Sequence, residues 1–192
     1  MNITNNTILA ICGSLRKGSY NAALLDLAAR VAPDLRFVGR DLAGQLPLFN
    51  PDLEENEPAH PPAVREFRRL ADAADAVVIV TPEYASGPSG VTKNAIDWLI
   101  GSDGLGSRPT VLMSASPGQS GGLRGQAALL PTLTFLAVIL VDTVSVGRVW
   151  SKVDASGAIV DAATIERVRL SMDELRDALR YSARRQASLP VN

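Results

Sequence analysis

The tightest constraint on the fold is a series of short apolar runs alternating with helical patterns. Thr7–Cys12 and Ala76–Val80 are strand-length and almost free of polar residues. A strand with one wet face alternates apolar and polar residues, whereas one buried on both faces does not. Thr110–Ser114 and part of Ala137–Val146 read the same way, and Leu35–Val38 reads as a shorter strand. Helical spacing fills the gaps at Asn21–Val31, Val64–Ala74, Val91–Ile100, Leu123–Leu136 and Asp161–Ala183. In the last of these, Ile165, Val168, Met172, Leu175 and Leu179 form one apolar stripe, expected to pack on a sheet. Pro131 falls inside the Leu123–Leu136 pattern and is expected to kink it, because proline lacks a backbone donor.

Strands alternating with helices make a parallel sheet covered on both faces. The expected fold is α/β: a flavodoxin-like three-layer α/β/α sandwich whose five-stranded parallel sheet has the order 2-1-3-4-5. The 192 residues, 46% hydrophobic, are expected to form a single domain spanning 1–192. A formal net charge of −1 gives no electrostatic basis for binding nucleic acid or an anionic membrane. The longest apolar stretch, Phe135–Val141, is far short of the roughly 20 residues a membrane helix needs. The single cysteine, Cys12, cannot form an internal disulfide and is expected to be a small core residue. No signal peptide is expected in the polar Met1–Thr7 segment, and a cytoplasmic location follows as the expectation.

In a doubly wound sheet, ligands bind beyond the carboxyl ends of the strands, where strand order reverses. Two loops fall there. Gly13-Ser14-Leu15-Arg16-Lys17-Gly18-Ser19-Tyr20-Asn21 leaves the first strand and opens a helix. A helix N-terminus offers unpaired N–H groups and partial positive charge, which suits an anion. Ser14 and Ser19 can donate to phosphate oxygens, Arg16 can pair with two of them, and Asn21 can bind phosphate or brace the loop. The competing reading makes Ser19 a plain helix cap and leaves Arg16 in solvent. The P-loop pattern fails, because Ser19 follows Gly18 where lysine is required. The second loop, Thr81-Pro82-Glu83-Tyr84-Ala85-Ser86-Gly87-Pro88-Ser89-Gly90, leaves the third strand. Ala85, Ser86 and Gly87 carry little side chain and expose peptide N–H groups to a planar ring. One loop for a phosphate and one for a ring indicate a mononucleotide, with FMN the candidate. A third loop, Ser114 to Arg124, contains Ser116 and several glycines that permit close approach of a ligand, and reads equally as an ordinary flexible turn.

These motifs resemble those of the NAD(P)H-dependent FMN reductase family, which includes bacterial quinone and chromate reductases. Residues Gly13 to Asn21 match its G-S-L-R-x-x-S-x-N loop throughout, and Thr81-Pro82-Glu83-Tyr84 runs into Lys93-Asn94-Ala95-Ile96-Asp97-Trp98 with the usual gap. Gly121-Gly122-Leu123-Arg124 and the Leu46–Asp52 segment are similar too. The resemblance implies FMN held through Ser14, Arg16, Ser19, Tyr20, Asn21 and Ser116, with ring contacts from Pro82, Glu83, Tyr84, Ala85, Ser86 and Gly87. It implies NADPH or NADH as hydride donor, a quinone or other small electrophile as acceptor, and a homodimer or homotetramer. Tyr84 and Arg124 would then meet nicotinamide, substrate or a neighbouring subunit. The chain departs from the family pattern at Ala85, where asparagine is common, at Ser89, where Pro-Gly usually precedes the helix, and at Thr92, where an apolar residue is common.

Other residues invite weaker readings. His60, flanked by Ala59 and Pro61, is expected at the surface of the Pro-rich Leu46–Pro62 connection, which is either ordered or mobile. No cluster has metal-ligand spacing, and a single histidine without G-x-S-x-G supports no serine triad. Glu83 is expected to orient its loop, and Trp150 to be a core or interface residue. Rival readings are a reductase that releases reduced FMN to a monooxygenase, a flavodoxin-type electron carrier, and a related module that binds no flavin.

Overall fold

A computed structural model describes residues 6–55, 60–102 and 104–187. The sheet strands are β1 (Thr7–Cys12), β2 (Arg36–Val38), β3 (Ala76–Val80), β6 (Pro109–Ala115) and β7 (Ile139–Val146). Between β3 and β6 lies a small hairpin, β4 (Glu83–Tyr84) and β5 (Gly87–Pro88). The helices are α1 (Tyr20–Val31), α2 (Pro51–Glu54), α3 (Pro62–Asp72), α4 (Gly90–Asp97), α5 (Leu123–Phe135) and α6 (Ala162–Ala187). The sheet order is β2-β1-β3-β6-β7, with every pairing parallel. With the hairpin set aside, this is the expected 2-1-3-4-5 order.

The strand period of two divides β1 between two cores. Ile8, Ala10 and Cys12 face a layer built from α1 and α6, while Leu9 and Ile11 face α3, α4 and α5. Val168, Met172, Leu175 and Leu179 of the α6 stripe are buried in the first core, with Ile165 packed beside them. Cys12 is buried there as well, and burial raises its thiol pKa. Helix α5 continues through Pro131 to Phe135. Proline removes one donor, and the carbonyl four residues earlier belongs to exposed Ala127, where water can satisfy it. No helix of the described residues is long and apolar enough to cross a membrane.

The Pro-rich connection is ordered where it is described. Trp98 Nε1 and Asn94 Nδ2 both donate to the Pro47 carbonyl, at 2.8 and 2.9 Å, and Phe49 packs edge-on against the Trp98 ring. His60 corrects the expectation of a surface role. It is 1% exposed, donates through Nε2 to the Glu54 carbonyl at 3.0 Å, and meets Trp98 edge-on. Its proline-rich neighbourhood marks a loop, but the burial comes from a tryptophan distant in sequence. Of this connection, residues 56–59 lie outside the described set. Trp150 is 60% exposed and therefore not a core residue.

Candidate functional site at the carboxyl edge of the sheet

Because all five strands point the same way, the loops after β1, β3 and β6 emerge at one edge. Short backbone bonds extend the ladder past the strand ends: Gly13 N to Val80 O at 2.8 Å, Thr81 N to Met113 O at 2.9 Å, and Ser116 N to Val146 O at 3.0 Å. The loops therefore leave a common platform at the switch point between β1 and β3, where the chain runs from β1 to β2 on one side and from β3 to β6 on the other.

The loop after β1 is rich in unused donors. None of the backbone N–H groups from Ser14 to Gly18 donates to another described residue. Ser19 caps α1, accepting from Asn21 N and Ala22 N at 3.2 Å each, so its own hydroxyl proton is free to donate elsewhere. Arg16 is exposed and has no ionic or hydrogen-bonded partner among the described residues. Asn21 is buried and bound to Ala115 in both directions, Nδ2 to O at 3.0 Å and N to Oδ1 at 2.9 Å. It therefore braces the first loop against the third.

The loop after β3 is a two-residue hairpin. Ala85 and Ser86 have φ of 49° and 63°, the left-handed pair that a type I′ turn requires. Asparagine tolerates that region better than alanine does, which gives a backbone reason for its frequency at position 85 in the family. The Ala85 and Ser86 N–H groups point from an exposed tip and have no partner among the described residues. Glu83 ties this hairpin to α5: its carboxylate accepts Arg124 Nε at 2.8 Å and Arg124 N at 3.2 Å. The Arg124 guanidinium, helped by the first backbone donors of α5, holds the Glu83 carboxyl below its ordinary pKa. Gly125 allows the contact, since a Cβ there would sit 3.1 Å from Gly87 O and 3.2 Å from Glu83 Cα.

A cleft of about 100 Å3 joins these parts, lined by Ser14, Arg16, Ser19, Tyr20, Asn21, Pro82, Glu83, Tyr84, Ala115, Ser116 and Pro117. The sequence reading named all of these except Ala115 and Pro117. Ala85, Ser86 and Gly87 stand at the hairpin rather than in the lining, and Arg124 reaches the cleft only through Glu83. A larger cleft of about 960 Å3 lies at the opposite edge, bounded by Arg68, Asp72 and Arg108, away from these loops.

The NADPH-dependent FMN reductase family model matches residues 6–151. The chain belongs to this family. It is 36% identical over 174 residues to an NAD(P)H-dependent FMN reductase of Pseudomonas aeruginosa, covering 88% of this chain and 92% of that one. It is 32% identical to a quinone reductase of Escherichia coli, covering 83% and 87%. Among solved structures, it resembles the flavoenzyme NAD(P)H:(acceptor) oxidoreductase of Paracoccus denitrificans, with a TM-score of 0.76, 27% identity, and coverage of 93% and 98%.

As an FMN reductase family member, the chain is an oxidoreductase whose flavin is FMN and whose electron donor is NAD(P)H. The chemistry of the cleft fits that cofactor: at one end N–H groups and a guanidinium without partners among the described residues, with two serine hydroxyls; at the other a hairpin whose tip N–H groups likewise have none among them. Sequence reasoning missed Thr81, Ser89 and Thr92, which are buried between the two loops. The signal was present as a helix-capping serine followed three residues later by another hydroxyl.

Proposed function

We propose that this cleft holds FMN with its phosphate in the Ser14–Ser19 loop and its ring against Pro82–Tyr84 and the hairpin tip. The enzyme passes reducing equivalents from NADPH or NADH to quinones or similar small electrophiles. When bound, FMN supplies the capacity to accept a hydride and release its electrons; the protein supplies placement and electrostatics. Arg16, Ser14 and Ser19 donate to the phosphate, and Ser116 borders it from the third loop. Glu83 acts by fixing the hairpin on α5, and Tyr84, 55% exposed, is placed to meet nicotinamide or a neighbouring subunit. Arg124 is placed for the same contacts. A homodimer or homotetramer in the cytoplasm completes the reading.

The observation that carries it is the run of donors from Ser14 to Gly18, unpaired among the described residues, beside a guanidinium with no counterion among them. Anaerobic stopped-flow mixing of the FMN-loaded protein with NADPH, followed by a benzoquinone, tests it. Flavin absorbance should bleach with the first and return with the second. A protein that takes up no FMN, or whose flavin stays oxidised with both NADPH and NADH, is a different kind of molecule.

A further inference from the structure

Three hydroxyls lie buried between the phosphate loop and the ring loop. Ser89 Oγ donates to the Gly13 carbonyl at 2.7 Å and lies 2.9 Å from Thr92 Oγ1. Thr92 Oγ1 donates to Thr81 Oγ1 at 2.9 Å, and Thr81 Oγ1 accepts from Ser89 N at 3.3 Å. None of the three residues is more than 1% exposed. The fit is close: a Cβ on Gly13 would fall 1.9 Å from Thr92 Oγ1 and 2.7 Å from Ser89 Oγ. Gly13 immediately precedes the free donors of the phosphate loop, and Thr81 opens the ring loop.

Ser89 and Thr92 are two of the positions at which this chain departs from its family's pattern, and they meet directly: Thr92 N donates to Ser89 Oγ at 3.1 Å. Ser89 holds the Gly13 carbonyl and Thr92 holds the Thr81 hydroxyl, so removing either side chain withdraws a buried donor from one of the two loops, which is costly. The bond to Gly13 also has a direction. In a trans peptide the C=O and the following N–H point opposite ways. Holding the Gly13 carbonyl toward Ser89 therefore aims the Ser14 N–H away from it, into the loop, where no described residue accepts it.

We propose that Thr81, Ser89 and Thr92 form a positioning clasp that sets the phosphate loop relative to the ring loop, so that both ends of FMN engage at once. This rests on the proposed site. FMN gripped at two ends gains from the second contact only if the first places it correctly, and small misplacements forfeit much of that gain. Riboflavin has the ring but no phosphate. The ratio of riboflavin to FMN dissociation constants therefore reads the registration of the loops, and a general loss of stability would leave it unmoved.

Titration of the apoprotein by flavin fluorescence measures both constants. In Thr92→Val and in Ser89→Ala the ratio should fall at least tenfold, while Thr92→Ser should keep the wild-type value. Circular dichroism at the titration temperature checks that each variant is folded, and Ser89→Ala decides alone if Thr92→Val is not. An unchanged ratio in folded variants, or equal weakening of both ligands, overturns the clasp and leaves the flavin site standing. A wild-type protein that binds neither flavin overturns the site and the clasp together.

Discussion

In the proposed site, Arg16 is the residue on which the phosphate end would most depend. It is exposed and unpaired among the described residues, so its charge is available in full. Arg16→Ala should weaken FMN binding by about 1.5–3 kcal/mol, the scale of hydrogen bonds to a charged group; isothermal titration measures it, and an unaltered affinity would remove Arg16 from the site. Ala85 makes the opposite case. With φ at 49°, its Cβ sits in a region alanine avoids. Ala85→Gly should raise stability by up to about 1 kcal/mol in urea unfolding, because glycine relieves that strain while losing more freedom on folding. That Ser14, Arg16 and Ser19 share one cleft was legible from sequence, because they lie in a short loop between an apolar strand and a helix at the carboxyl edge of the sheet. His60 was not. Adjacent prolines reveal a turn but carry no information about a tryptophan 38 positions away that buries the ring.

Helices and strands long enough to show a period were readable to within a few residues. The β4–β5 hairpin was not, since two-residue strands have no period to detect. Nor was the ion pair that anchors α6. Arg176, 13% exposed, reaches Asp34 with Nε to Oδ2 at 3.0 Å and NH2 to Oδ1 at 2.5 Å, joining the last helix to the turn before β2. Its hydrogen bonds hold the Asp34 carboxyl below its ordinary value of 3.8. A depressed carboxyl stabilises the fold fully above its unfolded pKa and ceases to do so as pH falls through the folded one. Asp34→Asn should therefore cost about 1 kcal/mol at pH 7, with allowance for partial solvent exposure. The gap between variant and wild type should close below pH 3.8. Thermal unfolding from pH 7 to pH 2.5 follows it, and a gap independent of pH would assign the effect to packing.

Over the whole molecule, the parallel sheet decides where the loops meet, and that followed from unbroken apolar strands alone. What no pattern revealed is how the loops are fastened together: Asn21 to Ala115, Glu83 to Arg124, and Ser89 to Gly13 all join residues more than 40 positions apart. Since FMN would touch several of these loops, it should stabilise the folded chain as a unit. At a free concentration 100 times its Kd the gain is about 2.7 kcal/mol, provided the unfolded chain does not bind it. Differential scanning fluorimetry with and without FMN tests this. Arg16→Ala should show a smaller rise at the same concentration, and a wild-type melting temperature indifferent to FMN would contradict the proposed site.

The two tryptophans offer a built-in optical probe. Trp98 is wholly enclosed beneath Pro47, Phe49 and His60, whereas Trp150 faces water. Acrylamide should therefore quench one emitter readily and leave a blue-shifted remainder untouched. Any treatment that lifts the proline-rich cover from α4 should announce itself as a red shift in that remainder before the sheet itself comes apart.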